Sequence, residues 1–356
     1  MSVIGTAGLR VDAFTYDLPS ERIAQLPRAE RDASRMLVAT ATTLRDAYVR
    51  DLPGELHPGD LLVGNRTRVR AARLSGSRGG GGRAEILVLE RHRDGRLTAL
   101  VRPSRKLPPG SRIALADGLT AVLEGPAKGH GGARMVHLRA GDTRLGTADV
   151  DAAIQHAGTV PLPPYITAEL TCAERYQTVF AQGAPRSAAA STAGLHITSR
   201  LLETLRERGV GFTTVELDIG LGTFAPMTAE RVDEHEMHEE RYALSADAAA
   251  SIEQTRRRGG RVVALGTTVV RVLETVGACG GLEASVGRTR LFIRPGHRFR
   301  VVDGLVTNFH QPRSSLLVLV AAFLGGERWR DVYAHALVNG YGFLSFGDCM
   351  LLWPSS

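Results

Sequence analysis

Four histidines stand where an imidazole could do chemistry. His196 closes Arg186-Ser-Ala-Ala-Ala-Ser-Thr-Ala-Gly-Leu-His-Ile-Thr198, a run of small residues ending in a Gly and a His. Ser191 or Thr192 is placed to cap a helix, and the small side chains let a ligand come close to backbone. A helix packed on a core and a floor for a ligand both fit these residues. His235 and His238 lie in Asp233-Glu-His-Glu-Met-His-Glu-Glu240. An i,i+3 spacing would put both on one helix face and invites a metal reading. The zincin pattern needs two residues between its Glu and its second His, whereas only Met237 separates Glu236 from His238, and no third ligand is evident. Acid/base work or substrate contact suits histidine, which titrates near neutral pH; a solvated, charged helix fits the same residues. His310 and Asn308 stand in Thr307-Asn-Phe-His-Gln-Pro312, after the strand-like Phe299–Val306 and before an apolar run. They suit a site at a strand end, or a turn that satisfies its own backbone.

The elements that would position these groups alternate. After Pro161-Leu-Pro-Pro164 the pattern predicts helices over 199–208, 246–258 and 268–276, and strands over 211–218 and 261–265. Ligands of such sheets gather beyond the carboxyl ends of the strands. Two glycine-containing turns fall at such ends, Asp218-Ile-Gly-Leu-Gly-Thr-Phe224 and Gly266-Thr-Thr268; each would serve equally as a plain helix cap. From about 60 to 150 short β-type runs alternate with Gly/Pro turns: Asp60–Val63, Glu85–Leu89, Leu97–Val101, Leu119–Leu123 and Arg134–Leu138. This texture predicts a small antiparallel barrel. Gly76-Ser-Arg-Gly-Gly-Gly-Gly-Arg83 lacks the Lys-Ser/Thr of a phosphate loop and reads as a hairpin tip. Nearer the start, Ser20–Gln25 carries a short helix signal and Arg35–Ala39 a strand signal. The predicted fold is a mixed α/β core domain from residues 1–64 and 151–356, with a small antiparallel β-barrel domain inserted at 65–150.

At 356 residues, two domains are the default. The composition, 43% hydrophobic and 23% charged, is that of a globular protein. The longest apolar run, Leu316–Leu324, is too short to span a bilayer and reads as core. Three cysteines, far apart and odd in number, suggest a reducing compartment without disulfides. With no signal layout at the N-terminus, the expected location is cytoplasmic, with no membrane association. The net charge of +7 suits an anionic partner such as nucleic acid, but it is diffuse and almost wholly arginine, as a general arginine preference would also give. The expected state is a monomer or weak homo-oligomer.

Many ordered blocks then carry a resemblance. They begin with Tyr16-Asp-Leu-Pro19, Ile23-Ala-Gln25 and Arg31-Asp-Ala-Ser-Arg35, and continue through Asn65, Thr67-Arg-Val69, Arg102-Pro103 and Gly158-Thr-Val-Pro-Leu-Pro-Pro-Tyr-Ile166. Glu174-Arg-Tyr-Gln-Thr-Val179, Thr192-Ala-Gly-Leu-His196, Gly222-Thr-Phe224, Glu234-His235 and Met237-His238 follow. Gly266-Thr-Thr268 with Arg271, Thr307-Asn-Phe-His310, and Gly347-Asp348 with Met350 complete the series. From about residue 11 to 353 the chain resembles the S-adenosylmethionine:tRNA ribosyltransferase-isomerases of queuosine synthesis. The resemblance implies that S-adenosylmethionine is a substrate and not a cofactor, and that no true cofactor or metal is needed. Its ribosyl part would move to the aminomethyl group of a 7-deazaguanine at the wobble position of a tRNA with a GUN anticodon. Rearrangement to an epoxycyclopentane would give epoxyqueuosine, with adenine and methionine leaving. It implies acid/base roles for His196, His235, His238 and His310, and Asp218 joins this catalytic set at a position where the family usually has His. It implies substrate contacts from Arg175, Tyr176, Gln177, Thr192, Gly194, Leu195, Gly222, Thr223, Phe224, Gly266, Thr267, Thr268, Arg271 and Asn308, and so favours the ligand floor.

Four positions depart from the family pattern. Asp218 stands where the family usually has His, Ser191 where it has Pro, Arg66 where it has an acidic or amide residue, and Gly342 where it has Arg. A group titrating near ~6.5 is thereby exchanged for one near ~3.9 unless burial raises it. Two alternatives accompany the tRNA reading: a paralogue that keeps the S-adenosylmethionine pocket but serves a small nucleoside-like acceptor, and a non-catalytic S-adenosylmethionine or RNA binder.

Overall fold

Three runs, Leu61–Asn65, Val262–Leu265 and Gly304–Asn308, are buried at every position. Strands covered on both faces belong to the parallel centre of an α/β sheet, and these three lie side by side in parallel. The computed structural model describes residues 8–127, 132–220 and 226–354. Gly222, Thr223 and Phe224 of the expected site lie outside the described residues. The chain forms two compact units.

The first unit contains the chain through Arg68, Pro163–Ala184, and the chain from Ala190 on. Its nine-stranded mixed sheet runs in the order 285–289, 240–244, 211–217, 61–65, 262–265, 304–308, 349–352, 35–39, 44–48. Helices Ser199–Glu207 and Ala246–Arg257 begin where the hydroxyls of Thr198 and Ser245 accept the N–H groups of Leu201 and Ala248. Leu62, Leu201, Leu205, Val263, Leu265, Val306 and Leu351 share one core with Ile197. The apolar 316–324 run is the buried helix Ser315–Leu324, with Ser314 as its cap.

Three local expectations fail for non-local reasons. Ser20–Arg22 is only a 3-10 turn, because Ile23 bridges to Phe343 and the Gln25 amide reaches Tyr165 O at 3.0 Å. Around the paired histidines, only Val232–Glu234 is helical, and the chain then runs extended into the strand Glu240–Leu244. His235 and His238 therefore share no helix face. In 299–306 the strand begins only at Gly304, because the buried Glu274 carboxylate takes the N–H groups of Arg300, Val301 and Val302 at 2.9–3.1 Å.

The second unit, Val69–Leu162 with Pro185–Ala189, is the antiparallel barrel. Strands 73–78, 83–91, 97–102, 134–140, 119–126 and 112–114 pair in that order, and the last pairs with the first, closing the ring. Alternation fills it, with Ala84, Ile86 and Val88 inward along 83–91. Helix Thr147–Ala157 adds Val150, Ala153 and Ile154 to the same core. The four-glycine stretch is the turn of the first hairpin, with φ of 96° and 86° at Gly80 and Gly81. Among the described residues no helix is long and apolar enough to cross a membrane.

Candidate active site

The carboxyl ends of the central strands of the first unit are tied together by side chains. Gly266 ends the strand Val262–Leu265 with φ of 101°, its N–H donates to Val306 O at 2.8 Å, and the helix Thr267–Gly277 starts immediately. A Cβ at Gly266 would lie 3.1 Å from Ser191 Oγ in a backbone conformation that strains any L side chain. Asn65 Nδ2 donates to Thr268 Oγ1 at 3.2 Å and to Leu217 O at 3.1 Å. Its Oδ1 accepts the N–H groups of Leu217 and Thr67, both at 3.1 Å. The ends of two strands and the start of one helix are thus fixed by one buried amide. Sequence reading placed Asn65 among the blocks of the resemblance but gave it no role; its local signal is a polar residue closing the apolar Leu61-Leu-Val-Gly run.

Ser191 and Thr192 cap nothing. Thr192–His196 is a 3-10 turn with no side-chain cap bond from Ser191. Thr192 Oγ1 instead donates to Asn308 Oδ1 at 3.1 Å, and Ser191 Oγ lies 3.4 Å from Thr268 Oγ1. At Gly194 a Cβ would sit 2.8 Å from Thr178 Cγ2 and 3.0 Å from a Phe180 ring carbon, so only glycine packs that closely.

This turn delivers a buried histidine to Asn308. Asn308 Nδ2 donates to Leu344 O at 3.1 Å, which fixes the amide's orientation, and lies 3.1 Å from His196 Nε2. With both Nδ2 protons so directed, Nε2 must accept, and neutral His196 carries its proton on Nδ1. Burial, opposed by Asp348 and aided by Arg28 and Arg31, lowers the His196 pKa to about 4. His196 and Leu195 line a small cavity with Arg28, Arg31 and Arg175. Two of these arginines brace backbone. Arg31 donates to Leu195 O at 3.0 Å and Glu174 O at 2.9 Å, and Arg175 to Ala29 O at 3.0 Å and to Arg28 O. Arg28 reaches the fully buried Asp348 at 3.1 Å.

His310 borders a second small cavity with Thr192, Asn308 and Tyr165. Its Nε2 is 2.9 Å from Thr307 Oγ1, its N–H donates to Tyr333 Oη at 3.0 Å, and its carbonyl accepts Tyr16 Oη at 2.5 Å. Burial lowers its pKa to about 3. Asn308 therefore links the surroundings of His196 and His310.

The remaining expected residues divide. Tyr176 and Gln177 are buried, the Tyr176 ring edge-on to Phe346 at 5.8 Å. Arg271 is committed to protein partners: the buried Glu240 carboxylate, Leu291 O at 3.1 Å and Thr289 O at 3.4 Å. Glu240 Oε1 also accepts Gly220 N–H at 2.9 Å. Asp218 accepts from Thr67 Oγ1 at 3.3 Å and from Arg241, which lies 3.4 Å away and also holds Glu216 at 2.6 Å. Burial, then Glu216, raises the Asp218 pKa, while Arg241 and Thr67 oppose. Half-buried His235 stacks edge-on to Phe292 at 5.4 Å; desolvation and the neighbouring His238 lower its pKa. Among the described residues no group of three or more His, Cys, Asp or Glu is placed to hold a metal ion.

The other departures are accommodated. Arg66 Nε lies 3.6 Å from Glu216 Oε2. Gly342 N–H donates to Asp348 at 2.8 Å, and a Cβ there would meet nothing closer than 3.5 Å.

The two depressed histidines make stability depend on pH. Below ~6.5 the unfolded chain binds protons that the folded chain refuses, so stability falls as pH falls from there toward the folded values. Between pH 7 and 5 the His310 contribution is about 2 kcal/mol. Urea midpoints measured at both pH values should fall at the lower one. His310→Gln should flatten that difference; an unchanged difference would mean His310 is not held neutral by burial.

The comparisons agree with one another. The family model described as "Queuosine biosynthesis protein" matches residues 11–352. An S-adenosylmethionine:tRNA ribosyltransferase-isomerase from Gloeobacter violaceus is 46% identical over 97% of this chain and 96% of its own length. One from Moorella thermoacetica is 46% identical over 97% of this chain and 100% of its own. The crystal structure of an S-adenosylmethionine tRNA ribosyltransferase from Thermotoga maritima is 36% identical, covers 95% of this chain and 99% of its own, and superposes with a TM-score of 0.55.

Proposed function

The chain belongs to the queuosine-biosynthesis family, and from that premise we propose that it transfers and isomerises the ribosyl moiety of S-adenosylmethionine onto a tRNA. The acceptor is the 7-aminomethyl-7-deazaguanine at the wobble position of a GUN anticodon, and the products are epoxyqueuosine-tRNA, adenine and methionine. S-adenosylmethionine is consumed as a substrate. The observation that carries this reading is similarity over nearly the whole chain to relatives bearing that name. It weighs against a small nucleoside-like acceptor and against a non-catalytic binder.

The chemistry sets requirements for which the chain offers candidate residues. The sulfonium acidifies the C5′ protons of the ribose, so a base must take one. The attacking amine must be neutral, and departing adenine is helped by a hydrogen-bond donor. With Nε2 engaged by Asn308, His196 offers Nδ1–H, a donor that stays neutral at pH 7. A base works best with a pKa near the operating pH. The deeply depressed His196 and His310 suit that role poorly, and half-buried His235 suits it better. Asp218, whose pKa burial and Glu216 raise against Arg241 and Thr67, is the candidate acid/base group at the position where the family usually has His. Asn308 and Thr192 position His196, Leu195 borders its cavity, and the helix start at Thr267 and Thr268 offers backbone N–H groups to a ligand. Adenine release followed with the modified tRNA, with unmodified tRNA and with the free deazaguanine base tests the reading. Release that requires the modified tRNA supports it; equal release with the free base overturns it.

A further inference from the structure

The barrel unit carries a basic groove to which neither the family match nor the sequence reading gives a role. The groove encloses about 1080 Å³, bordered by Ser75, Gly76, Arg83, Ala84, Glu85 and the stretch Arg102–Lys106. Arg83, Arg102, Arg105 and Lys106 are exposed, and among the described residues none of them forms an ion pair. Two other arginines of the unit are neutralised, Arg91 by Asp151 at 2.8 Å and Arg96 by Asp94 at 2.6 Å. The groove's one carboxylate, Glu85, is shared with Arg73 at 3.8 Å.

The fold gathers these cations from separate parts of the sequence. Arg83 and Arg102 lie on adjacent antiparallel strands, where Glu85 pairs with Arg102. Arg105 and Lys106 follow on the 3-10 turn Ser104–Lys106. Gly76 allows close packing beside them, since a Cβ there would lie 2.3 Å from Ala114 O. Four unneutralised cations in one open groove repel one another, and an anion relieves that repulsion.

We propose that this groove binds the phosphate backbone of the tRNA acceptor; the inference rests on the tRNA reading above. The lining argues for backbone against bases and for RNA against a protein. It holds no Phe, Tyr or Trp on which a base would stack. It also lacks the large aromatic and aliphatic anchors that dominate protein interfaces. Cations without stacking platforms give sequence-independent contacts that weaken with salt.

The test uses the full chain and fluorescently labelled tRNA, titrated at several salt concentrations. The triple variant Arg102→Ala/Arg105→Ala/Lys106→Ala should weaken binding about 10- to 100-fold and reduce the slope of log K against log salt by about 2–3. Turnover at saturating tRNA should stay near that of the parent, so that KM rises and kcat holds. The single Lys106→Glu variant, on an exposed turn, should weaken binding in the same direction. Arg91→Ala, in which the lost cation was already paired, should change binding less than twofold. A parent that binds and modifies tRNA, with triple and Lys106→Glu variants that match it in affinity and salt slope, would overturn the groove assignment alone. A parent that neither binds nor modifies tRNA would overturn the tRNA reading and the groove with it.

Discussion

Replacing His196 with Ala should lower turnover by about 10²–10³-fold, the usual cost of removing one preorganised hydrogen-bond donor. The protein should still fold. The Asn308 variants then separate chemistry from packing. Asn308→Ala removes the donor that holds Nε2, freeing the ring to change tautomer, and should lower kcat more than it raises KM. Asn308→Asp places an acceptor opposite Nε2, so the ring must put a proton there. A carboxylate beside the imidazole also favours the charged form and raises its pKa from about 4. The acidic limb of the pH–rate profile should therefore move to higher pH in Asn308→Asp. A merely structural role for Asn308 would scale the whole profile down without moving that limb, and would contradict this reading of His196.

The second large effect is on stability. Arg271 and Glu240 are both nearly inaccessible, and each is the other's charge partner. Removing one partner of such a pair leaves an uncompensated buried charge, at a cost of about 3–5 kcal/mol. For a chain of this size that is roughly 4–7 °C in Tm. Glu240→Ala and Arg271→Ala should each show it, and Glu240→Leu/Arg271→Met should recover much of it. Arg271 was expected from the family resemblance to touch substrate, and the same variants decide that. A structural Arg271 gives a low Tm with little change in KM for S-adenosylmethionine once the protein is folded. A substrate contact gives a raised KM with Tm intact.

Much of the fold was legible because it rests on local periodicity. The strand at 261–265, the helices at 199–208 and 246–258, and the barrel texture of the short β-type runs were readable, although Asp60–Val63, grouped with those runs, belongs to the central sheet as Leu61–Asn65. The exceptions were decided by distant partners. Val301 and Val302 look like strand, yet Glu274 takes their N–H groups. His235 and His238 have helical spacing, yet their segment runs extended into a sheet strand. The candidate site divides in the same way. That His196, Asn308 and His310 belong together was readable as an expectation from motifs. The bond from Asn308 to His196 spans 112 residues, and no local pattern carries it. Asn65 and Asp348 stood among the matched blocks without a role for the same reason: each is a single polar residue in an apolar setting, and its importance lies in what folds against it.

The most direct measurement follows the ribose carbons. The full chain is incubated with S-adenosylmethionine labelled in its ribose and a tRNA bearing 7-aminomethyl-7-deazaguanine at the wobble position. The tRNA is then digested to nucleosides and weighed by mass spectrometry. The expected result is label on the wobble nucleoside, with adenine and methionine released in equal amounts and only when that tRNA is present. Unlabelled tRNA, from folded protein that still binds S-adenosylmethionine, would contradict ribosyl transfer to tRNA as this chain's reaction.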